Sequence, residues 1–297
     1  MSSSSPRRGY LAGVAAYVIW GLFPLFWNVF KVLPTYELLA QRIAWCAIAV
    51  WLYLVLKGEG AWWRGLTRSA LARLALSSVL ISLNWAVYIG AVNSGHVIDT
   101  SLGYFITPLA NVLFGVVLLR ERLNILQGLA VFVAFAGVAW LVVVMGTLPG
   151  IALVLALTFG SYGLVRKLTP VDPVQGLAVE STLAMLPSLA YLAWSTSQDA
   201  GAFQILSPML GAMLVIGGAV TAIPLVLFAF AARNIPLTML GILQYIPPTV
   251  GLLLGLYVFH EPFGPDRWVA FTLIWIALAI FSVDALWRYR HSVVRRD

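Results

Sequence analysis

The sequence predicts an all-α membrane protein of ten transmembrane helices, built as two inverted five-helix repeats with both termini in the cytoplasm. Three observations predict it. The first is composition: 61% of the 297 residues are hydrophobic and 10% are charged, with a mean hydropathy of +0.94. A soluble domain carries about 25% charged residues, so the outer surface of this chain belongs in lipid. Backbone groups in hydrocarbon must bond internally, which leaves helices of about 20 residues or closed barrels. The short alternating strands of a barrel are absent from the sequence.

The second observation is a repeat. SLGYFITPLANVLFGVVLLRER (101–122) lies without a gap over GILQYIPPTVGLLLGLYVFHEP (241–262). Ile106 falls on Ile246, Pro108 on Pro248, Leu113 on Leu253, Gly115 on Gly255 and Glu121 on Glu261, and the same offset lays Tyr88 on Phe228 and Ala91 on Ala231. Two repeated halves in a polytopic chain are the pattern of a carrier whose site lies between them.

The third is charge asymmetry. With the N-terminus inside, cytoplasmic segments hold Arg7 and Arg8; Lys57, Arg64, Arg68 and Arg73; Arg120 and Arg122; Arg166 and Lys167; Arg233; and Arg288, Arg290, Arg295 and Arg296. That is 15 of the 18 Lys and Arg. Lys31 and Arg267 fall outside, and Arg42 lies within a span. Such a bias supports this orientation and an even number of crossings.

Taken in order, residues 1–8 are a polar tail expected to be disordered. The apolar runs, cut at charges and turn residues, then give helices at 9–30, 36–56, 73–92, 99–119 and 123–143 in the first half. A linker at 144–147 leads to helices at 148–165, 174–194, 209–231, 237–259 and 266–287, and a basic tail at 288–297. The domain division is therefore 9–143 and 148–287. The longer connection 57–72 reads as an amphipathic helix lying at the headgroups, anchored by Trp62 and Trp63.

Few ionisable residues fall inside the spans, and those that do are functional candidates. Arg42 and Glu180 lie in counterpart helices of the two halves, where they either pair as a structural bridge or serve substrate and coupling. Glu180 is the first candidate for proton coupling and Asp99 a second, although Asp99 and Glu37 also suit helix N-terminal caps. Uncharged polar groups gather at similar depths: Tyr17 and Trp20 in the first helix, Asn84, Trp85 and Tyr88 in the third, and Tyr162 in the sixth. Tyr104 and Asn111 share one face of the fourth helix with Ser101 and Pro108, and Gln244 and Tyr245 hold the matching stretch of the ninth. Such groups either bond helices together or line a shared cavity. Pro24, Pro108, Pro187, Pro224 and Pro248 interrupt helices and are hinge candidates. Glu121 and Glu261 close short turns and read as helix-start elements that fix each hairpin.

Other classes are excluded or weakened. The single cysteine, Cys46, allows no intramolecular disulfide, and three scattered histidines make no metal motif. No phosphate-binding GxxxxGK[ST] loop occurs, so no ATP engine lies in this chain. The net charge of +7 sits in short loops and reports topology, with no nucleic-acid partner implied. No cofactor or metal is implied, and the chain reads as a non-enzyme, a monomer or weak dimer. The rival reading, an enzyme or flippase acting on lipid-linked substrates, rests on Asp99 with His96.

YVIWGLFPLF, ELLAQRIAW, NWAVYIGAVN, SLGYFITPLANVLFGVVLLRER, YGLVRK and LGILQYIPPT, in that order, resemble the RarD, or chloramphenicol-sensitive protein, group of the EamA-type drug/metabolite transporter superfamily. The resemblance runs from about residue 9 to 288. It implies a ten-helix transporter of the bacterial inner membrane, with a central cavity lined by the first four helices of each half. Trp20, Arg42, Asn84, Trp85, Tyr88, Tyr104, Tyr162, Glu180, Gln244 and Tyr245 are the positions it carries into that cavity. One position departs: where relatives often have a lysine, this chain has Asn28, with Lys31 almost one turn on. The expectation is gradient-driven, alternating-access transport of a small amphipathic or aromatic metabolite or drug, with protons as candidate coupling ion.

Overall fold

Helices joined by turns and short irregular segments make up the computed structural model, which describes residues 6–59, 61–93, 97–146, 150–258 and 265–294, with no strand among them. The first half holds α1 (Pro6–Trp27), α2 (Thr35–Leu56), α3 (Arg68–Asn93), α4 (Val97–Val117) and α5 (Ile125–Met145). The second holds α6 (Gly150–Leu168), α7 (Pro173–Ser197), a short α8 (Ala202–Ile205), α9 (Pro208–Asn234), α10 (Leu237–Leu243), α11 (Ile246–Tyr257) and α12 (Pro265–Val294). Among the described residues, eight helices are long and apolar enough to cross a membrane. The fourth and tenth expected spans correspond to shorter apolar segments, Gly103–Val117 and Trp268–Asp284.

The starts follow from local chemistry. Asn124 opens α5 by accepting the Gln127 N–H while the Gln127 side chain accepts the Asn124 N–H, a reciprocal cap. Asp172 accepts from the N–H groups of Val174 and Gln175, with Pro173 as the first helical residue of α7. Large apolar side chains such as Leu56, Ile125, Phe132, Val143 and Leu186 remain exposed. On a soluble protein they would be a liability; against acyl chains they are the solvated surface.

Helices of the two halves interleave. α2 packs on α7, α5 on α12, and α4 on α10; α1 lies against α9 and α11, and α6 against α3 and α4. Further contacts join α2 to α9 and α3 to α7. Small residues make the closest crossing possible. A Cβ on Gly218 of α9 would stand 2.3 Å from the Trp45 carbonyl carbon of α2, so only glycine lets these backbones meet.

Four expectations need correction. Among the described residues of 57–72 no amphipathic helix spans the connection: Gly58, at φ 74°, terminates α2, a 3₁₀ turn forms at Trp62–Gly65, and α3 begins at Arg68. The span expected at 237–259 is discontinuous, because Pro247 and Pro248 cannot donate to the preceding turn, and the helix breaks at Gln244–Tyr245. Pro248 consequently lies in the first turn of α11, whereas Pro24, Pro108, Pro187 and Pro224 are helix-interior. Finally, α1 begins within the expected tail at Pro6, and α12 runs through the expected basic tail to Val294. Residues 1–5, His96, His260 and Glu261, and the side chain of Asp99, lie outside what the structure describes.

Candidate functional site

The hairpin of α6 and α7 folds the last turn of one helix back on the second turn of the next. Arg166 is thereby brought to Glu180, with Nη1 3.1 Å from Oε1, and both side chains are buried. Arg166 Nη2 also donates to the Pro173 carbonyl at 3.1 Å. The first half closes the arrangement: Ser77 of α3 donates its hydroxyl to Glu180 Oε1, and Ser78 donates to the Glu180 backbone carbonyl at 2.8 Å. Tyr162 reaches Glu180 Oε2 at 3.5 Å. A buried carboxylate is tolerable only with such partners, and here two helices, α3 and α6, supply them. Gly176 makes room: a Cβ there would lie 2.1 Å from Arg166 Nη1.

Beside this network is a narrow, mostly apolar cavity of about 20 Å³, room for a water molecule in this conformation. α2 contributes Ile43 and Cys46, α3 Ile81 and Trp85, and α6 Tyr162; α7 adds Leu177, Glu180, Ser181 and Ala184, and α9 adds Thr221 and Leu225. Both halves therefore form its wall. Arg42 borders it through Thr221, donating Nε–H to Oγ1 at 3.4 Å. The guanidinium lies 4.4 Å from the centre of the Trp27 ring, 5.5 Å from that of Phe23 and 5.8 Å from that of Trp85. Glu180 pairs with Arg166, and Arg42 makes its hydrogen bond to Thr221 instead.

Of the candidates read from the sequence, Trp85, Tyr162 and Glu180 line the cavity and Arg42 borders it. Trp20 packs between Tyr17, Phe159 and Phe228. Tyr88 and Tyr104 meet edge to face at 5.9 Å, with Tyr104 half exposed. The remaining polar groups tie helices together. Tyr17 donates to the Leu240 carbonyl at 3.1 Å, and Asn84 to Leu155 and Thr158 of α6, both at 2.9 Å. Asn111 of α4 donates to Gln244 Oε1 at 2.6 Å, and Tyr245 donates back to the Phe105 carbonyl at 3.2 Å, so the break between α10 and α11 is bound to α4. Among the described residues no cluster of three His, Cys, Asp or Glu could hold a metal ion.

Two acids act in places the sequence did not suggest. Glu121 accepts the Leu237 and Thr238 N–H groups at 2.7 and 2.9 Å, holding the start of α10 in the opposite half and not its own hairpin. Lys167 donates to the Ala232 and Ile235 carbonyls and stands 3.8 Å from Glu121, so opposite charges bracket the turn between α9 and α10 as the two helix dipoles favour. Glu37 is fully buried, accepting from Gln41 at 3.1 Å and from the Ala202 N–H at 2.8 Å, and thus holds the start of α8. Sequence reasoning also missed Arg166, Ser77 and Thr221. The adjacent Lys167 made Arg166 look like a loop charge, and single hydroxyls in an apolar helix give no signal of their own.

Comparison with known proteins agrees with this architecture. The sequence profile of the EamA-like transporter family matches twice, over residues 7–143 and 149–283. A Pseudomonas aeruginosa protein named an uncharacterized transporter is 44% identical over 97% of each chain. Proteins named RarD from Streptomyces exfoliatus (41% identical, over 100% of this chain and 95% of that one) and Escherichia coli (37%, over 98% and 99%) align almost end to end. A crystal structure at 20% identity superposes with a TM-score of 0.69 over 92% of this chain and 96% of its own, which speaks to the fold alone. The chain belongs to the EamA-like transporter family, among relatives named RarD.

Proposed function

We propose that this membrane transporter is a gradient-driven carrier of small amphipathic or aromatic metabolites or drugs in the bacterial inner membrane, working by alternating access. The observation that carries the reading is the cavity walled by α2 and α3 of one half and α6, α7 and α9 of the other. Trp85 and Tyr162 offer aromatic surface to a bound ring, and Ser181 and Thr221 offer hydroxyls for orientation. Because the wall is shared, relative motion of the halves opens it to one side or the other.

The inverted repeat is part of the proposal. Two successive profile matches of similar length support the division at 144–147. The packing supports it too. Counting α10 and α11 as one interrupted span, exchanging the halves turns α1 on α9 into α6 on α3, α2 on α9 into α7 on α3, and α1 on α11 into α6 on α4. The contacts α2 on α7, α4 on α10 and α5 on α12 map onto themselves. Arg73, Arg166, Lys167 and Arg233 all gather around the turn between α6 and α7, as ten crossings with cytoplasmic termini require.

Glu180 is the coupling candidate. Its ion pair is buried, joins Ser77 of the other half and borders the cavity, so its occupancy by a proton or by Arg166 changes how the halves hold together. A thermal-shift panel of amino acids, aromatic amines, nucleosides and chloramphenicol-like amphiphiles on the detergent-purified protein tests the site. A compound that stabilises wild type but not Trp85→Ala supports it. Stabilisation retained in both Trp85→Ala and Glu180→Gln places the ligand elsewhere and overturns it.

A further inference from the structure

Resting on the carrier reading, we propose that the transported molecules are organic anions, with an aromatic or apolar body and a carboxylate held by Arg42. The argument is charge and geometry at one side chain. Glu180, the cavity's carboxylate, is already neutralised by Arg166 at 3.1 Å. Arg42 has no such partner among the described residues: its one hydrogen bond is the Nε contact to Thr221 at 3.4 Å, and three aromatic rings, Trp27, Phe23 and Trp85, lie around the guanidinium. The cavity region therefore holds one uncompensated positive charge.

That charge is poised for a ligand. Neither Nη nitrogen has an acceptor among the described residues, and neither is among the sealed, orphaned buried atoms. A guanidinium presents its N–H groups as a planar fork that matches a carboxylate, and lysine could not replace it in this role. The rings of Trp27, Phe23 and Trp85 orient the fork and form an apolar surround in which an anion would lose its water. A cation arriving in the same space would meet Arg42 as a like charge in a poorly screened site, which is repulsive. A carboxylate supplies the missing counter-charge, and its apolar body would lie along Trp85, the ring that Arg42 shares with the cavity wall.

Matched isosteres test this: indole-3-acetate against indole-3-acetamide, and phenylpropionate against phenylpropylamine. Binding to the purified protein is measured by thermal shift and calorimetry for wild type, Arg42→Gln and Arg42→Lys. The expected result is that at least one acid binds wild type about tenfold or more tightly than its neutral or cationic partner. Arg42→Gln removes that preference, and Arg42→Lys restores it only in part. Absence of any acid preference in wild type overturns the inference whether or not the variants fold. Neutral or cationic partners that bind, and lose affinity in Trp85→Ala, would overturn the anion assignment while leaving the carrier reading standing. Failure of every compound to bind would also overturn it.

Discussion

Replacing Gly176 by alanine sets two physical effects against each other with opposite signs. Gly176 lies inside α7, where alanine is intrinsically favoured over glycine by about 1 kcal/mol. The added Cβ, however, would stand 2.1 Å from Arg166 Nη1 and 2.9 Å from its Cζ. Arg166 is flexible enough to swing away, so the cost is not the clash itself. The cost is the ion pair, whose two side chains are 2% and 3% exposed and so gain little from water when separated. Breaking a buried pair by displacing one partner costs about 3–5 kcal/mol. The Ser77 and Tyr162 hydroxyls stay on the carboxylate and hold the loss toward the lower end. The expected net destabilisation is about 2–4 kcal/mol. Denaturant titration in detergent, followed by tryptophan fluorescence, measures it. A companion measurement isolates the cause: in a Glu180→Gln background the pair is already gone, so Gly176→Ala should cost much less. Stability of Gly176→Ala equal to or above wild type would refute the reasoning.

Other expectations follow the same logic. Gly218→Ala drives a methyl into the Trp45 backbone of α2 and should cost about 1–3 kcal/mol, whereas Gly128→Ala on α5 meets nothing within 4 Å and should gain up to about 1 kcal/mol; thermal unfolding of the two proteins checks the contrast. Glu121→Ala removes both acceptors from the first N–H groups of α10 and should cost about 1–2 kcal/mol, with faster amide exchange at Leu237 and Thr238. Asp284→Ala removes the acceptor of three amide hydrogen bonds from Asn124 and Gln127 and should loosen α5 from α12, seen as faster exchange in the first turn of α5.

The fold was legible where lipid dictates it. An apolar run about 20 residues long has few alternatives to a helix in hydrocarbon, so element positions followed directly, while ends drifted where caps decide. The break at Gln244–Tyr245 was half visible: Pro247 and Pro248 announce a fault, but the matching Pro108 sits inside an unbroken α4, so proline alone does not say which outcome packing chooses. The site was less legible. Glu180 stood out because a lone carboxylate in a span is costly. Its partner did not, because Arg166 is adjacent to Lys167 and looks like a topological charge, and only the hairpin geometry turns it inward. For Tyr17, Asn84, Asn111 and Tyr245 the sequence left cavity lining and helix–helix bonding both open, and their hydrogen bonds run to neighbouring helices. A sequence shows that a polar group is inside the bundle, not which way it faces.

The central claim is that the cavity opens alternately to the two sides of the membrane, and the chain carries its own reporter. Cys46 is the only cysteine, lines the cavity and is 3% exposed in this conformation. Its modification by a membrane-impermeant thiol reagent can be followed by mass spectrometry in right-side-out and in inverted vesicles. The account predicts labelling from both faces, slow relative to an exposed thiol and suppressed by a bound ligand. Labelling from one face only, under every ligand and gradient condition, would contradict it.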